Sequence, residues 1–193
     1  MAFFQGDHDR AARLLEESLA VSRAIGDRLG EARALSNLGE NAREKGDFEA
    51  ALACDERAAA IFEELGAQQE YAIPMLNQGL SLLGLGRLDE ARRALRRSLA
   101  VTLEIGAVPF VLSALSAYAR LFFAEGRSEE AVELLGLALG HPSTTVDIRR
   151  EADRLFAEMG GGMDADSRRT ILDRGGRRVL EEVARKLLSG GGP

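Results

Sequence analysis

The chain has 193 residues, a net charge of −6, and 46% hydrophobic but only 5% aromatic residues. Ala and Leu dominate the apolar residues, so the composition favours helices, excludes an all-β fold and disfavours a parallel-sheet fold. The acidic balance argues against direct binding of nucleic acid, and no apolar run is long enough to span a membrane. Because the N-terminus lacks the basic and apolar regions of a signal peptide, the sequence predicts a cytoplasmic protein without direct membrane contact.

Glycines recur at a fixed interval along most of the chain. One series is Gly6, Gly46, Gly86 and Gly126, each 40 residues apart, and a second, 20 residues later, is Gly26, Gly66 and Gly106. An alanine keeps the same step at Ala11, Ala51, Ala91 and Ala131. Agreement at so many positions is too regular to arise by chance and establishes an internal repeat. Such a repeat predicts stacked supersecondary units.

Each repeat is predicted to contain a helix A, a tight turn at a glycine, and a helix B. Helix B is amphipathic, since Ala91, Leu95 and Leu99 share one face at the helical period. No single pair can bury its apolar stripe alone, so the pairs are expected to stack into an all-α α-solenoid of antiparallel helices. This solenoid spans residues 1–140 and comprises an unpaired helix B over 7–26 and repeats over 27–66, 67–106 and 107–140.

The predicted helices A contain small residues at one recurring position, namely Gly39, Gly79 and Ala119. Side chains of this size allow neighbouring helices to approach closely. Pro74 is expected near the start of its helix, where its missing N–H costs least.

After Gly140 the period breaks. A turn at Pro142 and a Ser/Thr cap predict one more helix within 141–160, which would cover the apolar face of the last repeat as a C-terminal helical cap. Glycines 160–162 are a predicted hinge. The remaining segment, 161–193, is predicted to form a short helical tail with Gly-rich flexible ends.

The aligned positions resemble the tetratricopeptide repeat, which pairs Leu-Gly in helix A with a turn glycine and Ala-rich positions in helix B. In the second copy these residues are Leu35, Leu38, Gly39, Ala42, Gly46, Ala51 and Ala58. The unit exceeds the usual 34 residues of that family, and ALSNLGENAREKGDFEAAL is similar to the long variety found in kinesin light chains and Pins-type adaptors. Two positions over the 3–140 resemblance depart from the pattern: Asp55 occupies an apolar position and Gln78 replaces leucine, so the third repeat is expected to pack less regularly.

The C-terminal arrangement is similar to the tail that follows such repeats in bacterial STAND-type signalling ATPases and transcriptional regulators. This resemblance implies a sensor or regulatory module in bacterial signalling. The chain begins inside a repeat, which indicates the C-terminal part of a longer regulator or a truncated product; a native short protein is the alternative. Phe3 and Phe4 would then lack their usual partner helix, and the exposed N-terminal face would favour a homodimer.

No catalytic or ligand-binding motif stands out, so the sequence predicts neither an enzyme nor a cofactor or metal site. His8 and His141 lack a second ligand at metal spacing and are expected on the surface. Cys54 lies at a position that is apolar in the other copies, which favours a small buried thiol over a reactive one. The LGLGRL segment lacks the GK[ST] of a phosphate-binding loop.

Four arginines cluster on the third helix B, at Arg92, Arg93, Arg96 and Arg97. Acidic neighbours and the acidic chain favour a solvated outer face over a phosphate-binding strip.

The resemblance places the functional surface on the concave face, which helices A line in such stacks. The candidate peptide-binding residues are Arg33, Asn37, Glu40, Arg43, Ile73, Asn77, Leu80, Ser113, Ser116 and Arg120. Asn37 and Asn77 lie one repeat apart, and an amide both donates and accepts, so two such rungs are suited to hold an extended peptide backbone as in long-unit relatives. The alternative is that both residues cap or bridge neighbouring helices. The predicted function is therefore a non-catalytic scaffold for a protein or peptide ligand.

Overall fold

A computed structural model describes residues 8–159 and 164–193. Within these ranges every regular element is an α-helix, and the helices in chain order are α1 His8–Ala24, α2 Arg28–Glu44, α3 Phe48–Glu64, α4 Gln68–Gly84, α5 Leu88–Glu104, α6 Val108–Ala124, α7 Ser128–Gly140, α8 Val146–Met159, α9 Ala165–Gly176 and α10 Leu180–Leu188. The predicted all-α fold class of consecutive helix pairs is confirmed for the described part of the chain. The predicted glycine hinge at 160–162 lies outside the described residues.

The turns between the first seven helices share one geometry. Their glycines adopt left-handed backbone angles, with φ between 65° and 82°, at Gly26, Gly46, Gly66, Gly86, Gly106 and Gly126. The amide of the residue after each glycine donates to a carbonyl in the last helical turn, as Asp47 does to Ala42 at 2.9 Å. This is the Schellman arrangement, which satisfies the free carbonyls at a helix end and makes glycine the favoured residue there.

Aspartates at two of these turns also begin the following helix. The side chain of Asp27 accepts a hydrogen bond from the Gly30 amide, and that of Asp47 accepts one from the Ala50 amide. Each bond satisfies one of the unpaired N–H groups at a helix N-terminus. The turn glycine and the capping aspartate together explain why α2 and α3 begin where they do.

Pro74 lies inside α4, buried, and not near its start as predicted. The helix begins at Gln68, one full repeat after the start of α2 at Arg28. The residue before it, Ala67, supplies no side-chain cap, so α4 lacks the capping signal that α2 and α3 have. The repeat length was the better guide to this boundary than the proline was.

The described chain divides into two compact units, an N-terminal unit ending at Ala94 and a C-terminal unit beginning at Leu95. In the N-terminal unit α1 packs on α2, α2 on α3 and α3 on α4, while α2 also contacts α4. Therefore α2 and α4 lie side by side, with α3 packed against both. The core that α1, α2 and α3 share includes Ala32, Leu35, Ala58, Ile61 and Phe62, with Tyr71 of α4 packed against it.

In the C-terminal unit α7 is the central helix. It contacts α6, α8 and α9, and every residue from Ala131 to Ala138 is buried. Helix α8 packs on both α6 and α7 through Ile148, Ala152 and Leu155. A helix with neighbours on three sides needs no polar face, which explains why α7 is apolar almost throughout.

Helix α9 approaches α7 unusually closely. A side chain on Gly136 would overlap the backbone of Leu172, and one on Gly175 would overlap the backbone of Glu133. Glycine on both helices therefore permits this contact. The segment after residue 163 thus packs against α7, a contact that the sequence did not predict.

Candidate functional site

The side-by-side helices α2 and α4 present the candidate residues of the N-terminal unit. We call this the α2/α4 face and define it by Arg33, Asn37, Glu40, Ile73 and Leu80. Arg33 and Asn37 are exposed, and the other three are half-buried. An ion pair joins the two helices here, because Arg33 Nη2 lies 3.2 Å from Glu70 Oε1. The face therefore combines apolar surface with polar groups of both kinds.

The two asparagines that were predicted to hold a peptide backbone, Asn37 and Asn77, have different surroundings. Asn37 is exposed, whereas Asn77 is only 8% exposed and its side chain faces Asp55 on α3. Position 37 has no such neighbour, because the residue one repeat before Asp55 is Leu15. The two amides thus share a sequence position but only Asn37 is open to a ligand in this conformation.

Asp55 lies where α2, α3 and α4 meet and is 0% exposed. No described residue reaches hydrogen-bonding geometry with either carboxyl oxygen. Burial raises the pKa of Asp55 to about 8, with Arg43 and Asn77 lowering it and Glu40 adding to the rise. At neutral pH this side chain is therefore mostly a neutral carboxylic acid, since the charged form cannot be solvated there.

Two residues of α2 shape the surroundings of this carboxyl group. Gly39 packs directly against it, since a Cβ at Gly39 would lie 2.9 Å from Asp55 Cγ. Arg43 supplies the nearby positive charge, yet its Nε is buried and has no hydrogen-bond acceptor among the described residues. Burial likewise raises the pKa of Glu40, against the effect of Arg43. The site thus contains a donor without an acceptor, Arg43 Nε, and two carboxyl oxygens of Asp55 outside hydrogen-bonding geometry.

The candidate residues on α6 belong to the C-terminal unit, and their polar groups are used within the protein. Ser113 Oγ donates to the Pro109 carbonyl at 3.1 Å and Ser116 Oγ to the Leu112 carbonyl at 3.3 Å. Arg120 pairs with Glu151 on α8. Because these groups already have internal partners, they are less available to a ligand than Asn37.

A buried ion-pair cluster holds the C-terminal segment to α7. Glu133, whose side chain is 5% exposed, accepts from Arg178 Nε at 2.7 Å and from Arg174 Nη2 at 3.3 Å. Arg96, one of the four clustered arginines, donates to the Leu188 carbonyl. Sequence reasoning missed these partners, since they lie far along the chain and outside the repeat.

Helix α1 presents an apolar stripe. Leu14 is 53% exposed and Val21 60%, and their spacing places them on one side of the helix; Ile25, in the turn that follows, is 73% exposed. Phe3 and Phe4, the residues predicted to drive self-association, lie outside the described residues. The exposed stripe on α1 is therefore the part of that predicted surface which the structure describes.

Few other groups in the described chain suggest chemistry. Among the described residues no cluster of three His, Cys, Asp or Glu side chains is placed to hold a metal ion, and no described helix is long and apolar enough to cross a membrane. Cys54 is half-buried, and burial raises the pKa of its thiol. A raised pKa keeps the thiol protonated at neutral pH, which disfavours reactivity.

Comparison with known families decides the identity of the repeat. The profile of the family described as Tetratricopeptide repeat matches residues 1–64 and 70–140, which is more than half of the chain. The chain belongs to the tetratricopeptide repeat family. Tetratricopeptide repeats generally mediate protein–protein interaction, so the predicted fold and the general prediction of an interaction scaffold are confirmed.

This tetratricopeptide repeat protein is also similar to a human signalling protein. A stretch of 55 residues is 40% identical to G-protein-signaling modulator 1 of Homo sapiens. The aligned stretch covers 28% of this chain and only 8% of the human protein. The similarity therefore concerns a short stretch of each chain and not the rest of the human protein.

Proposed function

We propose that this protein is a non-catalytic scaffold that binds a protein or peptide segment across the first helices of its repeats. The observation that carries the proposal is the composition of the α2/α4 face. Helix α4 contributes the half-buried apolar side chains of Ile73 and Leu80, helix α2 contributes the exposed amide of Asn37, and Asp55 lies buried where these helices meet α3. Apolar contact area with a few placed polar groups is typical of surfaces that bind a specific ligand.

We further propose that the scaffold is a sensor or regulatory module in bacterial signalling, within a cytoplasmic STAND-type regulator. The 40-residue period supports the long type of repeat, and the helices after residue 140 support the tail of such a regulator. The human protein with the similar stretch carries signalling modulation in its name. These features support the proposal at the level of protein class.

The test is selection from a random library of linear peptides of about twelve residues, with the full chain as bait. Asn37→Ala should weaken capture of the selected peptides by ~5-fold or more, because the exposed amide loses its bonds to the peptide backbone. Gln69→Ala removes an exposed amide at the start of α4 and serves as the matched control. Circular dichroism confirms that both variants fold.

Two results would count against this proposal. Unchanged affinity of Asn37→Ala would remove the asparagine from the binding surface. Failure to select any peptide would remove the peptide-binding role itself.

The exposed stripe on α1 favours a second candidate function, self-association into a homodimer through the N-terminal helix face. Leu14, Val21 and Ile25 lose their contact with water if a second copy packs on them. Light scattering over a range of concentrations separates the two candidates. A mass that stays at one chain throughout would eliminate self-association and leave the peptide-binding proposal unaffected.

A further inference from the structure

We propose that Asp55 anchors a basic side chain, lysine or arginine, of the polypeptide that binds on the α2/α4 face. The inference rests on the proposed binding function and adds the chemistry of the ligand. It starts from a carboxyl group that is fully buried at the junction of three helices and has no hydrogen-bond donor among the described residues.

The repeat itself shows that packing does not require an aspartate at this position. The equivalent residues in the other copies are Leu15, Leu95 and Leu135, and the last two are fully buried. A leucine in place of Asp55 would bury apolar surface, whereas Arg43 and Asn77 compensate the burial of the carboxyl only in part, so that its pKa stays raised. Buried polar groups in native proteins nearly always have a partner, so one without any indicates a partner yet to bind.

The charges around Asp55 indicate what that partner carries. From α2, Glu40 and Arg43 face the carboxyl; from α4, the neutral amide of Asn77 does; on α3 itself the half-buried thiol of Cys54 is adjacent. When Asp55 is ionised, two carboxylates share one guanidinium, whose Nε has no acceptor among the described residues. A second positive charge from the ligand would therefore favour the ionised form of Asp55.

The position of the carboxyl suits a long basic side chain that enters from the α2/α4 face. Gly39 packs against the carboxyl without a side chain of its own, and the side chains that interact with the carboxyl are those of Glu40, Arg43 and Asn77. Glu40 and Arg43 are only half-buried and can rotate toward solvent. Ile73 and Leu80 lie one helical turn to either side of Asn77, where they can pack against the apolar stem of lysine or arginine.

Proton release provides a signature specific to this arrangement. In the unliganded protein burial raises the pKa of Asp55 to about 8, so the carboxyl is mostly neutral at pH 7. Pairing with a cation requires the ionised form, and binding must therefore release a proton. Affinity for a basic peptide should then rise from about pH 6 to about pH 8, by at most ~10-fold per pH unit, and level off above.

The experiment uses the full chain and a positional-scanning library of random peptides of about twelve residues. Arginine or lysine should be enriched at one position. Replacing that arginine by citrulline, which keeps its shape but removes its charge, should weaken binding by at least ~10-fold. Calorimetry in two buffers of different ionisation enthalpy should detect proton release for the arginine peptide and none for the citrulline peptide.

Variants assign the effect to Asp55. In Asp55→Asn the preference for arginine over citrulline should disappear, and so should the proton release. Glu56→Gln removes an exposed carboxyl one residue further along α3 and should retain both. Asp55→Leu, which introduces the residue of the other copies, should fold and also lose the preference, so a folding defect in one variant does not decide the result.

The possible outcomes separate the two proposals. Selected peptides without any enrichment of arginine or lysine, or with a preference that survives Asp55→Asn, would overturn the anchoring role and leave the proposed binding function intact. Absence of any selected peptide would defeat the binding function and the anchoring role with it.

Discussion

At the scale of single residues, the carboxyl group of Asp55 determines the energetics of the α2, α3 and α4 junction. The equivalent Leu95 and Leu135 contribute apolar burial, while Asp55 contributes a buried carboxyl whose oxygens lie outside hydrogen-bonding geometry, although the Asn77 amide faces it. In the folded protein its pKa is about 8, against an ordinary value of 3.8. At a pH between these two pKa values, Asp55 is ionised in the unfolded chain but keeps its proton in the folded chain. Stability must therefore fall as pH rises through this window and stay at the lower level above it.

Asp55→Asn is expected to remove this pH-dependent loss. The gain in the free energy of unfolding over the native chain should be ~2–4 kcal/mol larger at about pH 7.5 than at about pH 4.5, since each pH unit inside the window contributes at most ~1.4 kcal/mol. Urea unfolding at the two pH values measures the difference. Glu56→Gln, on the exposed side of α3, should show no such dependence. An equal effect of Asp55→Asn at both pH values would mean that the carboxyl is already ionised when folded.

Sequence reasoning reached part of this site. It identified Asp55 as a departure from an apolar position, because the other copies show what belongs there. It predicted equal roles for Asn37 and Asn77, yet only Asn77 faces Asp55, and only Asn37 is exposed. Periodicity assigns residues to equivalent positions, but the protonation and burial of a side chain depend on neighbours from several helices.

At the scale of helices, the sequence predicted the elements that follow the repeat and missed those that do not. The turn glycines mark the helix ends because their left-handed geometry closes each helix. The start of α4 was predicted close to Pro74, but the helix begins at Gln68. Ala67, the residue before it, supplies no capping side chain that would have indicated this start. The packing of α9 on α7 was not predicted either, because it depends on glycines of two helices and on the buried Glu133, which lie far apart in sequence.

Gly39→Ala tests the close contact between α2 and α3. Alanine favours a helix over glycine by ~1 kcal/mol, but its Cβ would lie 2.9 Å from Asp55 Cγ and force the carboxyl to move. We expect net destabilisation of ~1–2 kcal/mol in urea unfolding, as for other overpacked cores. In an Asp55→Ala background the same substitution should become neutral or stabilising, because the obstructing atoms are gone. If Gly39→Ala lowers the free energy of unfolding equally in both backgrounds, the added Cβ does not clash with Asp55.

At the scale of the whole molecule, periodicity and composition predicted the all-α class, and the resemblance of the aligned positions indicated the tetratricopeptide family. They did not predict the division into two compact units, which falls between Ala94 and Leu95 inside α5. Successive copies have the same spacing, so the pattern carries no signal for such a boundary. The charge balance is also a property of the whole chain: 25 basic and 31 acidic residues leave a net charge of −6. This field attracts a basic peptide before any specific contact forms.

The net negative charge of the chain is expected to act on peptide association, whereas Asp55 is expected to act on dissociation. The dependence of the two rates on salt concentration distinguishes these effects. Raising NaCl from about 20 mM to about 300 mM screens exposed charges and should slow association of an arginine-containing peptide several-fold. Dissociation should change by less than ~2-fold, because water and ions do not screen a pair buried against Asp55. Asp55→Asn should show the reverse, with faster dissociation and an association rate close to that of the native chain. Stopped-flow fluorescence with a labelled peptide resolves both rates. Salt-dependent dissociation in the native chain would show that the peptide charge pairs with an exposed carboxylate, since only an exposed pair responds to ions in that step.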